Sequence, residues 1–583
     1  MKFKAPLRNA LSRSLDEFRL YTARPDALIQ ISILGLLTGS LAGLLAVGFL
    51  LIIDYSLEHL IGFANPENFE QLSTWSRFLF PVIGALIIAQ LFKWITKGEY
   101  VVGIVHVMER MAYHQAQLKL RAFFAQFIGG TIALISGQSL GREGPSVHLG
   151  AAVGSGIGHT LQLPNNTMRT LAACGTSAAI AASFNTPLAG VIFAMEIIMA
   201  EYAVASFIPI MIAAVAATGI RRLALGTDPT FTVSGLTSIS PWEGLFIILL
   251  GVIIGLTSTV FTTLIRQTAT RVKTLSITQR FLIGGVITGL LGSQIPQILG
   301  IGYDTVNHAI LGTLGVSTLL AILAAKVIAT GCSVGVGLPA GLIGPSLYIG
   351  AITGSAIGLT FNELFGENIA HPSVYAIVGM SAMMAACLQA PLAALTAVFE
   401  LTANPHIVWP SMVAIVIAQL ISKQIFKQPP VFELLLQLRG LDYHQDPLVQ
   451  SLRKIGISSA MNNSTSEVDH LISPADAKEI FASNTPQWLV VKNDGALDSL
   501  LPSVDLATYL EEHNGEDSID LLEIPGKRLQ VGNIDIRATL DVAREQFAQG
   551  GIEALCIMGW TARGERSTQG ILTKESFENV YMH

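Results

Sequence analysis

The chain has 583 residues, of which 51% are hydrophobic and 13% charged, with 54 glycines. A soluble protein averages about 25% charged residues, so this composition excludes an ordinary soluble globule and indicates a polytopic helical membrane protein. The net charge of -6 lacks the basic excess that nucleic-acid binding needs, and no such partner is expected. Cys174, Cys332, Cys387 and Cys556 are scattered, with no CxxC or Cys/His spacing, so neither a disulfide framework nor a metal site is indicated.

Residues 1–25 carry Lys2, Lys4, Arg8, Arg13, Arg19 and Arg24 against Asp16 and Glu17, and the positive-inside tendency makes the N-terminal segment, 1–27, cytoplasmic. Leu28 to Ile53 holds no charge and exceeds the roughly 20 residues that span a bilayer. It is too long and too far from the start for a signal peptide. Further apolar runs cover 78–95, 122–140, 170–195, 203–220, 244–265, 281–299, 313–360, 373–399 and 407–425. Several exceed one span and several are cut by Gly or Pro, which predicts half-length and re-entrant helices.

Within this series the stretch GQSLGREGPSVHLGAAVGSGIG, residues 137–158, stands apart. Arg142 and Glu143 are its charges, and no other Asp, Glu, Lys or Arg occurs between Arg121 and Arg169. A charge at a bilayer centre costs at least about 2.5 kcal/mol, so such groups normally face a protein-lined or wet pathway. Gly141, Gly144 and Pro145 interrupt the apolar run, and a new helix is expected to start near Pro145. A helix start exposes N–H groups at the positive end of the dipole, which makes an anion site without a cationic side chain. Glu143 stands where that anion would stand. Ionised, it competes with a permeant anion; protonated, it withdraws. The plain alternative is that Arg142 and Glu143 pair with each other or with backbone.

An internal repeat runs through the membrane region. Gly144-Pro145-Ser146-Val147-His148-Leu149-Gly150-Ala151 is echoed by Gly344-Pro345-Ser346-Leu347-Tyr348-Ile349-Gly350-Ala351, and residues 175–196 match 379–400, pairing Pro187 with Pro391 and Glu196 with Glu400. Two halves with broken helices in corresponding positions point to a transport site at their interface. The glycines at 150, 154 and 158 have a simpler purpose, close helix approach.

After Gln428-Pro429-Pro430 the character changes to a soluble α/β pattern. Helices are predicted over 474–482, 503–512 and 538–549 and strands over 488–491, 554–558 and 570–572. A turn falls at Asn493-Asp494-Gly495, and Thr573 is placed to cap the last helix. The order of elements is duplicated.

GREGP, Gly141 to Pro145, resembles the signature of the CLC family of chloride channels and chloride/proton exchangers, and the duplicated C-terminal pattern resembles a tandem CBS pair. The resemblance implies an all-α polytopic membrane protein of two inverted repeats with broken and re-entrant helices, followed by a soluble α/β tandem CBS domain. It divides the chain into a cytoplasmic segment (1–27), a transmembrane domain (28–436), a linker (437–455) and the CBS pair (456–583). It makes Glu143 the gate and assigns Gly141, Arg142, Glu143 and Gly144 to anion binding, with the backbone amides of Leu342 and Ile343 at the family's second anion loop. The first loop falls at Val101 to Val105, where Val102 replaces a serine, and Phe432 stands for the pore tyrosine. Both hydroxyl donors are absent, which weakens or retunes the central anion site.

Exchangers of the family often carry a glutamate just after the position of Glu196; here that residue is Ile197. Glu196, His106 and Glu109 are the candidates for a substitute proton path, each with a plainer reading as a packed carboxylate or a solvated face. Loss of the glutamate favours a passive chloride channel gated by Glu143; the alternative is a chloride/proton antiporter with a non-standard proton route. The resemblance further implies a prokaryotic homodimer in the inner (plasma) membrane, with lipid, chloride or another small anion, and in the exchanger case protons, as partners. Both termini are expected to be cytoplasmic. No cofactor is expected: Ser576 replaces the aspartate of a nucleotide site in one CBS copy and Pro502 the hydroxyl in the other, which favours a structural or dimer-stabilising role over adenine-nucleotide sensing. An intramembrane enzyme would need HExxH or paired catalytic residues, and a metal carrier clustered carboxylates or histidines; the apolar segments hold neither, so the protein is not expected to be an enzyme.

Overall fold

A computed structural model describes residues 18–19, 22, 27–62, 68–97, 99, 101–227, 231, 243–366, 371–441, 447–483, 485–493, 495–513, 518–560 and 566–582. Residues 1–17 of the basic N-terminal segment, 442–446 of the expected linker and Asp494 of the expected turn lie outside them. The chain forms two compact units, one comprising Ile31–Ile157 and Arg169–Tyr443, the other Met1–Gln30, Gly158–Met168 and His444–His583.

The first unit is helical. In chain order its elements are α1 (Leu28–Tyr55), α2 (Thr74–Ile95), α3 (Gly103–Tyr113), α4 (Leu120–Ile135), α5 (Glu143–Thr160), α6 (Asn165–Phe184), α7 (Pro187–Phe193), α8 (Val204–Leu225), α9 (Gly244–Arg271), α10 (Ile277–Gln294), α11 (Tyr303–Ile310), α12 (Val316–Val336), α13 (Ile343–Phe365), α14 (Pro372–Leu388), α15 (Pro391–Thr402), α16 (Val408–Gln419) and α17 (Val431–Gln437). Among the described residues, 7 helices are long and apolar enough to cross a membrane. Between them lie shorter apolar helices such as α7 and α15, the half-length elements that Gly and Pro in the runs predict. Proline sets several starts: Pro187, Pro372 and Pro391 each open a helix, where the missing N–H carries no penalty. The long run 313–360 divides at Gly337, which takes a left-handed φ of 90°, and resumes as α13. Large side chains on α1, among them Ile29, Ile33, Leu36 and Leu44, are exposed, as a lipid-facing surface requires.

Helix approach follows the small residues. A Cβ on Gly150 would stand 2.2 Å from the carbonyl of Gly175, and one on the repeat-equivalent Gly350 2.3 Å from that of Gly379. The crossings of α5 on α6 and of α13 on α14 thus use the same contact, which only glycine permits at that separation.

The C-terminal part of the second unit contains α18 (Pro447–Arg453), β1 (Thr465–Asp469), β2 (Leu471–Ile472), α19 (Pro474–Ser483), β3 (Trp488–Asn493), β4 (Ala496–Pro502), α20 (Ser503–Glu512), β5 (Ile519–Asp520), β6 (Leu529–Asp535), α21 (Leu540–Ala548), β7 (Ala554–Trp560), β8 (Arg566–Thr573) and α22 (Lys574–Met582). The main sheet runs β1-β3-β4-β6-β7-β8. Within it β1 pairs parallel with β3 and β3 antiparallel with β4, and the same pattern returns as β6, β7 and β8. The region is a duplicated, CBS-like α/β fold, as the repeated order of elements predicts. Thr573 caps α22, its Oγ1 accepting from Ser576 N at 3.2 Å.

Candidate functional site

The two chain breaks of the repeat meet in the core of the helical unit. Gly141 N donates to Gly341 O and Gly341 N to Gly141 O, each at 2.7 Å, in a short antiparallel bridge. These glycines occupy equivalent places in the two repeats, and reciprocal exchange between equivalent residues is what a local twofold produces. The bridge fixes the starts of α5, at Glu143, and of α13, at Ile343. The first of these precedes the expected start at Pro145 by two residues, because Glu143 and Gly144 already take up the first turn.

Glu143 is fully buried. The Tyr303 hydroxyl donates to its Oε1 at 2.9 Å and the Gly344 amide to its Oε2 at 3.1 Å. A Cβ on Gly141 would stand 2.0 Å from Oε2, and one on Gly344 2.7 Å from Oε1. The carboxylate therefore lies in a cradle of bare backbone at the N-terminal ends of two helices, where amide donors and dipoles favour negative charge. Gly144 presses on the same seam, its pro-Cβ direction meeting Gly341 Cα at 2.7 Å. Arg142 places its guanidinium 5.4 Å from the centre of the Tyr303 ring and reaches Ser183 O at 3.5 Å. Phe231 packs edge-on against the same tyrosine at 5.4 Å. Backbone and a phenol, rather than solvent, hold both oxygens of Glu143.

Val102, Leu342, Ile343 and Phe432 come from three separate segments and are all buried in the core of the helical unit. Val102 is the extended residue before α3 and gives that helix no side-chain cap. The Gly103 amide behind it donates to Gln126 Oε1 at 2.6 Å, and Gln126 Nε2 donates to Pro339 O at 2.8 Å. One buried glutamine thus ties the first loop to the turn before the second. Phe432 opens α17, which packs on α3. The Gly141 amide, assigned by resemblance to an anion, is committed to the glycine bridge.

The candidates for a proton path fall in two places. Glu196 accepts from Leu392 N at 3.4 Å and Ala393 N at 2.7 Å, and Glu400 accepts from Leu188 N at 3.0 Å and Ala189 N at 2.8 Å. Each repeat therefore caps the short helix of the other, α15 and α7, with an equivalent carboxylate, and Glu196 has a structural task of its own. His106 is buried, with Nδ1 3.6 Å from Glu109 Oε2, and Arg439 reaches the same oxygen at 3.6 Å. Ile197 is buried in a π-helical turn, Ala194–Met199, that packs on α3.

Three residues at or near the site were not singled out from the sequence. Gln126 had a legible signal, one of two amides within an apolar run, and so did His148, a titratable group inside the motif stretch. Tyr303 had none, since its partner lies 160 positions away. Lys326, alone in its apolar run, donates to Ile298 O at 3.0 Å and Gly300 O at 3.1 Å, holding the turn that leads to Tyr303.

A buried carboxylate in an anion cradle, formed by broken helices at a repeat interface inside a multi-pass bundle, defines a membrane anion-transport protein. The family model for voltage gated chloride channels matches residues 82–423. A ClcB-like protein of Ralstonia nicotianae is 32% identical over 353 residues, 59% of this chain and 81% of that one. The H(+)/Cl(-) exchange transporter ClcA of Vibrio cholerae is 30% identical over 444 residues, covering 72% of this chain and 92% of its own. The crystal structure of a eukaryotic CLC transporter superposes with a TM-score of 0.58 at 19% identity, over 94% of this chain and 98% of that one, and shares its fold. The chain belongs to the CLC family of membrane transport proteins, which move anions and are not enzymes.

Proposed function

We propose that the protein is a chloride/proton antiporter in which Glu143 serves both ions. The reading rests on one observation: the Glu143 carboxylate occupies, by way of the Gly344 amide, a cradle suited to an anion. Chloride entering that cradle must displace the carboxylate, and protonation removes the charge that holds it there. One group thus exchanges an anion for a proton. The Vibrio exchanger, matched over 92% of its length, supports antiport. Ile197, in place of a family glutamate, is what favours the second reading, a passive channel gated by Glu143.

The central site is formed by the amides of Leu342 and Ile343, with Gly141, Arg142 and Gly144 shaping the outer position. Val102 and Phe432 supply no hydroxyl there. Each absent hydrogen bond to an anion removes about 1.5–3 kcal/mol, so chloride is held weakly. We place the protein in the inner membrane as a homodimer with one pore per subunit and both termini cytoplasmic. The regions are a cytoplasmic segment (1–27), a transmembrane domain (28–436), a linker (437–455) and the CBS pair (456–583), and the CBS pair has a structural role.

The test is flux from purified protein in liposomes, recording chloride and proton movement together. Under an imposed chloride gradient the wild type drives protons uphill, and Glu143→Ala passes chloride without protons. Chloride flux from the wild type with no proton movement would establish the channel reading instead.

A further inference from the structure

Close to the gate lies a second group of titratable side chains that binding of an anion does not use. His148, on α5, and His106, on α3, stack with ring centroids 5.4 Å apart and planes inclined by 24°. His148 is fully buried and His106 is 4% exposed. Among the described residues neither nitrogen of His148 meets a hydrogen-bond partner of ordinary geometry, the Val101 backbone being the polar group it faces. Leaving a buried polar group unsatisfied is costly, so such a group in a folded core indicates water, an ion or a proton-handling role. His106 Nδ1 likewise makes no hydrogen bond of ordinary geometry and stands 3.6 Å from Glu109 Oε2.

The pair also has a direction. Glu109 lies one turn along α3 from His106, at 3.6 Å from its Nδ1, and its side chain is 20% exposed. At the inner end, His148 shares α5 with Glu143, five residues or about 7.5 Å of helix rise away. Exposure thus falls stepwise from Glu109 through His106 to His148. The charged groups facing His106 are Glu109, Arg110 on its own helix, and Arg439 from beyond α17; among the described ionisable groups, His148 faces His106. The Ala194–Met199 turn that carries Ile197 packs on α3, so His106 is on the helix adjoining the position where a carboxylate is missing.

We propose that Glu109, His106 and His148 form the proton route of this protein, a histidine relay that replaces a carboxylate at position 197. The proposal rests on the antiport reading above. A proton from solution converts the Glu109 carboxylate to the acid. It then transfers to His106 Nδ1, and the imidazolium releases its other N–H proton to a nitrogen of His148. His148 in turn passes a proton to Glu143 through water admitted when that side chain leaves Tyr303 and Gly344. Each transfer breaks one N–H or O–H bond and forms another, every donor returns to its starting charge as it hands its proton on, and each imidazole regains its starting tautomer by a ring turn before the next proton.

The experiment compares the full-length wild type with His148→Gln, His106→Gln and Glu109→Gln in liposomes, with chloride efflux and external pH read in the same vesicles. Each glutamine variant lowers chloride-driven proton transport by at least about tenfold while chloride flux stays within about threefold, because the anion cradle is intact. The proton-to-chloride ratio is the deciding readout, since a merely structural role changes both fluxes together. A wild-type ratio retained in both histidine variants overturns the relay and leaves antiport standing. A wild type that moves no protons overturns antiport itself, and the relay with it. If His148→Gln abolishes chloride flux as well, the outer members decide: coupling lost in His106→Gln and Glu109→Gln supports the route, and coupling kept in both overturns it.

Discussion

Replacing Tyr303 with Phe isolates the hydrogen bond that holds the Glu143 carboxylate, the latch of the proposed gate. The ring stays where it is, edge-on to Phe231 and under the Arg142 guanidinium; only the hydroxyl that donates to Glu143 Oε1 at 2.9 Å is lost. A hydrogen bond to an ionised group contributes about 1.5–3 kcal/mol, which corresponds to roughly 10- to 150-fold in the occupancy of the latched state. Chloride flux in liposomes should rise in the variant until a later step limits it. For that reason the coupling energy is the better measurement. Tyr303→Phe in a Glu143→Ala background should have no further effect, so a double-mutant cycle returns an interaction energy in the range given above. If the single substitution leaves flux within about twofold of wild type while Glu143→Ala changes it strongly, Tyr303 does not latch the gate. Simple addition of the two effects would refute the latch equally.

Glu196→Gln should lower the melting temperature in detergent, since an amide keeps one acceptor oxygen for two backbone donors and costs about 1–3 kcal/mol. The proton-to-chloride ratio should be unchanged; a lost ratio at unchanged stability would make Glu196 a proton carrier after all. In the α/β region, Glu467 accepts from Lys492 and, at 2.6 Å, from the Thr568 amide, joining β1 to β3 and β8. Burial alone would raise its carboxyl, but the bonds from Lys492 and Thr568 outweigh that and hold it below the usual range. Its contribution is therefore complete above the unfolded value of about 4.3 and is lost as pH falls through the lower folded value. Glu467→Gln should speed hydrogen exchange at the Thr568 amide near neutral pH, and the difference from wild type should vanish in strong acid. A difference that persists unchanged at low pH would refute the assignment.

Much of the fold was legible because its causes are local. Charge-free runs, helix-starting prolines and the duplicated α/β order each act within a few residues, and the structure follows them closely: α20 covers 503–512 as read from the sequence. The repeat also pairs Gly141 with Gly341 and Glu196 with Glu400 in the sequence itself. What it withholds is which partner each residue meets. Tyr303 and Gln126 work across 160 and 213 positions respectively, and no periodicity encodes contacts of that span. Glu196 shows the same limit: its reading as a packed carboxylate was legible in the sequence, but the two α15 amides it caps, 196 and 197 positions away, were not.

The twofold arrangement explains why a carboxylate is tolerated at all in this core. Each repeat brings one helix start and one glycine-lined loop, and a single start offers too few donors to hold a charge away from water. Bridged at Gly141 and Gly341, the two starts face one volume, and Glu143 from one repeat is met by the Gly344 amide of the other. The second repeat has Ile343 where the first has Glu143. That asymmetry matters, because two carboxylates in the cradle would repel each other and leave no place for an exchangeable anion. With one, the carboxylate is held by the Tyr303 hydroxyl and the Gly344 amide with no second acid from the other repeat at the equivalent position. In the antiport proposed above, competition between the tethered carboxylate and a mobile anion is what couples to protons, and the difference between the repeats at positions 143 and 343 leaves room for it.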